Sequence, residues 1–188
     1  MKTNTFHISD AINRRIDCFL QVVCAYPHYA EIERRMQAAQ GRIGYEFQRP
    51  ALCMLAFCRA KADKTGNGYK NETLAQIGDA LLDTVISERF FAEGNSKQEI
   101  DNRRQGLGDN QYLFSITIKK SFRSFCYHER FFHDEAPQED QVSAGSHDSL
   151  VEAIIGAIYL DGGIDKARQW IYENVIVDAS VKEGSPDA

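Results

Sequence analysis

The sequence predicts an all-α fold, and three observations carry that expectation. Apolar residues recur three or four positions apart through most of the chain, as one face of a helix requires. No segment shows the clean alternation of apolar and polar residues that marks a half-buried strand. Gly, Pro, Ser and Asn punctuate the periodic stretches where helices start or stop. With 188 residues, 43% of them hydrophobic and 26% charged, the chain has the length and composition of one globular domain, which excludes intrinsic disorder. Every apolar run is broken by charge or Gly before the ~18 residues of a membrane span. Asp10, Arg14, Arg15 and Asp17 stand where a signal peptide would be apolar. A cytoplasmic protein with no membrane partner is expected.

Ser9 or Asp10 caps a first helix to about Ala25, in which Ile12, Ile16, Phe19, Leu20 and Val23 share a face. Pro27 interrupts it. A second helix runs from Glu31 to Gln40, ended by Gly41, and Pro50 opens a third through Leu52, Leu55 and Ala56. Residues 62–70 read as a polar, Gly-containing loop. From Asn71 to about Phe91 comes the longest pattern, with Leu74, Ile77, Leu81 and Val85 on one face; Gly94 and Asn95 stop this central helix. Ser96 caps the next, with Glu99 at the capping-box position, and residues 112–125 add an apolar and basic stretch. Residues 133–145 form an acidic loop. Ser146 to Leu160 is a second buried helix closed by Asp161, Gly162 and Gly163, and Ile164 to about Val177 is the last, through Ala167, Trp170 and Ile171.

Five cysteines without a C-x-x-C pair indicate neither a zinc site nor a full disulfide framework, so reduced, mostly buried thiols are expected. The net charge of -5 argues against coating nucleic acid by bulk charge and leaves room only for a local basic patch. One such stretch exists: Arg103, Arg104, Lys119, Lys120 and Arg123 have only Asp109 against them. It suits a phosphate backbone, and a solvated helix face is an equal reading. His128 and His133, near Glu129 and Asp134, read as solvated residues rather than metal ligands.

Carboxylates mark the two apolar helices. Glu72 and Asp79 are seven residues apart, within about 20° of one direction on a helix, and Asp83 continues that face. Asp148 and Glu152 form an i, i+4 pair opposite Leu150, Val151, Ile154, Ile155 and Ile158. Carboxylates gathered with no Lys or Arg among them suit a hard cation, above all Mg²⁺, with phosphate completing the shell. Solvated helix faces would show the same spacing.

N-E-T-L-A-Q-I-G-D at 71–79 and E-A-I-I-G-A-I-Y-L-D-G-G at 152–163 resemble the two motifs of the ribonuclease III domain. I-G-Y-E-F at 43–47 with Pro50 resembles its start, and residues 96–113 its middle helix. The resemblance divides the chain into an N-terminal helical extension (1–30), a ribonuclease III-like domain (31–177) and a polar tail (178–188). It implies an α-helical endonuclease domain that pairs into a homodimer and cuts double-stranded RNA with Mg²⁺, or Mn²⁺ in its place. It further implies catalytic roles for Asp79, Glu152 and Glu72, with Asp79 and Glu152 as metal ligands. The sequence departs from the pattern at Ala75 and Ser149, where the family has its other two carboxylates, and at Lys97, in place of a further acidic position. Asp148, one residue before the family aspartate, projects over the same helical face and is the candidate to fill the vacancy as catalytic residue and metal ligand. Gln76 stands where the family's dimer has an aromatic knob. The N-terminal helix is expected to pack on its own subunit rather than across a dimer. With only a short tail after Val177, a separate double-stranded-RNA-binding domain is not expected. Two functions remain open at this point: Mg²⁺-dependent hydrolysis of structured RNA, and a non-catalytic RNA-binding or assembly subunit that keeps the fold.

Overall fold

The helix Leu150–Gly162, apolar on nearly every side, has to bury most of its surface, and with the apolar face of the helix Glu72–Ala92 against it forms the centre of the molecule. The computed structural model describes residues 8–25, 27–58, 71–127 and 149–176. The loops expected at 62–70 and 133–145, together with Asp148, His128 and His133, lie outside the described residues. The order is α1 (Ile8–Cys24), α2 (Tyr29–Ile43), α3 (Pro50–Phe57), α4 (Glu72–Ala92), α5 (Lys97–Leu107), α6 (Asn110–Lys119), a 3₁₀ turn (Phe122–Phe125), α7 (Leu150–Gly162) and α8 (Ile164–Ile171) running into a π-helical turn (Tyr172–Ile176). The described residues contain no strand, only one isolated bridge between Cys58 and Tyr127. The all-α expectation holds.

On α7, Leu150, Val151, Ala153, Ile154, Ile155, Ala157 and Ile158 are all fully buried. At roughly 1.5–3 kcal/mol for each large aliphatic side chain removed from water, this helix contributes a large share of core burial. It packs against α3, α4 and α8. Ala51 to Phe57 of α3 are all buried, after an exposed Pro50 at its first turn, where a missing N–H costs nothing. Around this centre, α1 packs against α3 and buries Ile16, Phe19 and Val23.

The local signals are borne out where side-chain chemistry fixes them. Ser96 and Glu99 form the expected reciprocal capping box at the start of α5. Asp109, an unpredicted cap, accepts from the N–H groups of Gln111 and Tyr112 at 2.8 and 3.2 Å. Three details differ from expectation. Gly41 lies inside α2, and the helix ends instead at Gly44, whose φ of 77° lets its N–H reach the Gln40 carbonyl at 2.9 Å. The 112–125 stretch is broken at Ser121, with φ 55°, into α6 and the 3₁₀ turn. Of the thiols, Cys53 and Cys58 are buried, Cys126 is half-buried, and Cys18 and Cys24 are exposed on α1, whose inner face is taken by larger apolar groups.

Candidate active site at the crossing of two helices

The site is built by two glycines. A Cβ on Gly78 would overlap the backbone carbonyl of Glu152, and one on Gly156 would overlap that of Leu74. Thus α4 and α7 touch backbone to backbone, with Leu74 against Gly156 and Gly78 against Glu152, which makes them antiparallel. Any side chain at either position forces the helices apart. Asp79 follows Gly78, so the close approach brings the backbone of the motif that carries Asp79 against the backbone of Glu152 in the other. Asp79 is exposed and Glu152 half-buried.

The other predicted positions fall around this contact. Glu72 is exposed at the first residue of α4, about 9 Å along the axis from Gly78 at 1.5 Å per residue. Ala75 is 5% exposed, packed into the core where the family has a carboxylate. Ser149 is the N-cap residue of α7, at the same end of the crossing as Asp79, and makes no side-chain cap bond. Asp148 lies outside the described residues. Lys97 is exposed at the start of α5.

Beside Asp79 opens a cleft of about 390 Å³ between α4 and α5, lined by Asp79, Asp83, Gln98, Asp101, Arg104, Gln105 and Gly108. The expectation of carboxylates with no basic residue among them is corrected here. Arg104 pairs with Asp83 across the helix interface, and its Nη1 is 3.7 Å from Asp101 Oδ1. The hydrogen bond and charge of Asp83, then the charges of Asp101 and Asp79, hold the guanidinium above its ordinary pKa. Sequence reasoning missed this because Asp83 and Arg104 are brought together by the packing of α5 on α4, which no local spacing reports. The i, i+3 relation of Asp101 and Arg104 was the only local trace of it.

The basic stretch is likewise partly spent within the fold. Arg103 lies over the Phe90 ring, 5.3 Å from its centroid, and Arg123 over Phe114 at 5.7 Å. Lys120 Nζ donates to Asn174 Oδ1 at 2.7 Å. Lys119 is exposed.

A divalent cation fits the donor set at the crossing: Asp79 and Glu152 offer hard oxygens, and Mg²⁺ needs only one or two carboxylates when waters and phosphate supply the rest. Among the described residues, no three His, Cys, Asp or Glu side chains gather as a ligand group. No helix among the described residues is long and apolar enough to cross a membrane.

Comparison with known proteins agrees with this architecture. A family model described as Ribonuclease-III-like matches residues 52–179. Ribonuclease 3 of Clostridium acetobutylicum is 31% identical over 155 residues, 79% of this chain and 66% of that protein. Ribonuclease 3 of Chlamydia muridarum is 30% identical over 140 residues, 72% of this chain and 59% of that protein. The chain therefore spans about three fifths to two thirds of the length of these relatives. A crystal structure of the nuclease domain of ribonuclease III from Campylobacter jejuni superposes with a TM-score of 0.61 at 22% identity, covering 80% of this chain and 97% of that one, and shows the same fold. A helical domain with its two motifs crossed at paired glycines, and with acidic residues at that crossing, has the fold of a nuclease domain. The chain is a member of the ribonuclease III family.

Proposed function

We propose that this chain is a ribonuclease III-type domain that engages structured, double-stranded RNA and hydrolyses its phosphodiesters with a single divalent ion held by Asp79 and Glu152. The observation that supports the reading is the Gly78–Glu152 backbone contact, which brings the backbones of the two motifs together next to Asp79 and at Glu152. A divalent ion there, Mg²⁺ or Mn²⁺, supplies Lewis-acid stabilisation of the phosphoryl oxygens and a water of lowered pKa. The protein's part is positioning: α4 and α7 are locked by backbone contact, so the carboxylates approach a phosphate without reorganisation. Asp148 is proposed as a further ligand, and Glu72 as a more distant acidic group of the same helix. Lys119, Lys120, Arg103 and Arg123 are proposed to meet the RNA backbone outside the cleft, which is salt-sensitive work. Arg104, drawn in among carboxylates, is taken out of that role.

Pairing of two copies into a homodimer belongs to the same proposal. A solved nuclease domain of ribonuclease III from Campylobacter jejuni, 24% identical, is described as flexible in a region involved in dimer formation. Light scattering at micromolar concentration is expected to give the mass of a dimer, and a monomer overturns this part.

The second reading, a non-catalytic RNA-binding subunit, is favoured by Ala75 and Ser149, one buried in the core and the other at a helix cap, where the family's remaining carboxylates stand. Cleavage of duplex RNA by purified protein in Mg²⁺ or Mn²⁺ separates the two. Cutting by wild type that Asp79→Asn abolishes supports the enzyme; binding without cutting supports the subunit.

A further inference from the structure

Another cavity, of about 650 Å³, opens between α2, residues 44–47 and the start of α3. That is the size of a small-molecule site. Met36, Phe47 and Met54, buried in the core on their other sides, form an apolar floor on which methylene groups can pack. Glu33 and Glu46 are exposed at the rim. The described residues that line the cavity include no Lys or Arg, and Arg34 and Arg35 of α2 are paired with Glu31. Glu33 lies seven residues before Gln40, about 10 Å along the helix at 1.5 Å per residue. Glu46 belongs to the Gln40 end, because Gln40 Oε1 accepts from the neighbouring Phe47 N–H at 2.8 Å. The two acidic residues therefore stand at opposite ends of the floor, with Gln37 between them. The wall is preformed: Tyr45 Oη donates to Asp161 at 3.0 Å, and the Tyr45 and Phe47 rings meet edge to face at 4.8 Å.

Gly41 lines the same cavity and is an independent sign. It lies inside α2, where glycine is a poor helix former. A Cβ there would meet nothing within 4 Å. Neither packing nor a left-handed backbone calls for glycine at this position, in contrast to Gly44 with its φ of 77°. What glycine preserves at 41 is the space over the floor.

We propose that this groove binds a linear aliphatic polyamine, its methylenes laid on Met36, Met54 and Phe47 and its terminal ammonium groups facing Glu33 and Glu46. The carboxylates select for charge at both ends, and the floor selects for hydrocarbon between them. An amine with one charge satisfies one end only, and an inorganic cation gains nothing from the floor. Gln37 offers an amide to an internal amine. The inference is independent of the metal and RNA roles proposed above, since no residue of the α4–α7 crossing lines this groove.

The test is calorimetry of the full chain with spermidine, and with octylamine as a singly charged chain, with no RNA present. Wild type is expected to bind one spermidine saturably and octylamine at least tenfold more weakly. Gly41→Leu, which fills the space and removes no charge, is expected to weaken spermidine binding at least tenfold. Glu33→Gln and Glu46→Gln are each expected to weaken it at least threefold. Gly41→Ala is expected to raise the melting temperature by about 2–4 °C, as a helix position that tolerates a side chain does. Circular dichroism checks the fold, and if Gly41→Leu fails to fold, Glu33→Gln combined with Glu46→Gln carries the test, both changes lying on the surface. No binding by wild type, or octylamine bound as tightly as spermidine, overturns the inference. So does spermidine affinity that is unchanged in folded Gly41→Leu or, where that variant does not fold, in the double Gln variant, for the polyamine then sits elsewhere on a chain of net charge -5.

Discussion

Asp161 closes α7 and Asp79 sits mid-way along α4, and both belong to the two motifs, yet the structure surrounds them in opposite ways. The Asp161 side chain is 0% exposed. Its Oδ2 accepts from Tyr45 Oη at 3.0 Å and from the Gln48 N–H at 2.8 Å; its Oδ1 accepts from the Arg49 N–H at 2.9 Å, and Arg49 Nε is 3.5 Å away. Arg49 also donates to the Leu160 carbonyl. This carboxylate ties residues 45–49, which lead into α3, to the end of α7. Asp79 is exposed at a cleft, held in place by the backbone behind it rather than by donors around it. A carboxylate whose lone pairs are taken up by the protein's own donors builds the fold, and one that is presented to solvent by a rigid backbone remains available for chemistry.

The largest effect is expected where both regions depend on α7 lying flat on α4. Gly78→Ala puts a methyl group into the Glu152 carbonyl, and overpacking against backbone costs about 3 kcal/mol or more. Urea unfolding should show a large drop in midpoint, and metal binding should fall with it. A midpoint within error of wild type would mean that the helices cross less closely than described.

Next comes the pair of isosteric changes. Asp161→Asn turns one acceptor toward a donor and removes the charge beside Arg49, at a cost of about 2 kcal/mol in unfolding free energy. Asp79→Asn changes stability by no more than about 0.5 kcal/mol, as surface substitutions do. If the two variants lost equal stability, the contrast between a structural and a presented carboxylate would fail.

The region around Asp161 also has a signature in pH. Burial, then the hydrogen bond and charge of Asp161, push the Tyr45 phenol from its ordinary 10.0 to about 12. Burial alone pushes the Cys53 thiol from 9.0 to about 12. Both groups hold protons in the folded state that the unfolded chain releases, so stability is flat below about pH 9 and falls as pH rises toward 12. Melting temperatures between pH 8 and 12 check this, and Cys53→Ala should delay the onset of the fall toward pH 10.

The smallest effect is expected in RNA contact. Lys119→Glu should weaken duplex-RNA binding several-fold and lower the salt slope by about one, as the loss of a phosphate contact does. Equal affinity at low and high salt would exclude the basic stretch from RNA binding.

Much of this contrast was legible in the sequence, because it rests on local signals. The motif spacing placed Asp79 and Glu152 on apolar helices, and Ser96 with Glu99 announced a helix start that the structure reproduces. The glycines of both motifs were visible, but not that Gly78 and Gly156 oppose Glu152 and Leu74, since register between helices is a tertiary property. Arg104 looked like part of a basic patch for the same reason: its partner Asp83 is 21 residues away on another helix. Asp161 read as a helix stop within D-G-G, and its role as a clamp depends on Tyr45 and Arg49, more than a hundred residues earlier. Gly41 looked like a helix end because glycine is a strong stop signal, yet α2 continues to bury Ile43.

If the close crossing of α4 and α7 presents Asp79 as a metal-binding, catalytic carboxylate while Asp161 only holds the fold, the two must separate in activity. The direct measurement is cleavage of a defined double-stranded RNA in Mg²⁺ or Mn²⁺ by wild type, Asp79→Asn and Asp161→Asn, each at a temperature where circular dichroism shows it folded. Cleavage is expected from wild type and from folded Asp161→Asn, and none from Asp79→Asn. Cleavage that survives Asp79→Asn, or that is lost in a fully folded Asp161→Asn alone, would contradict this assignment.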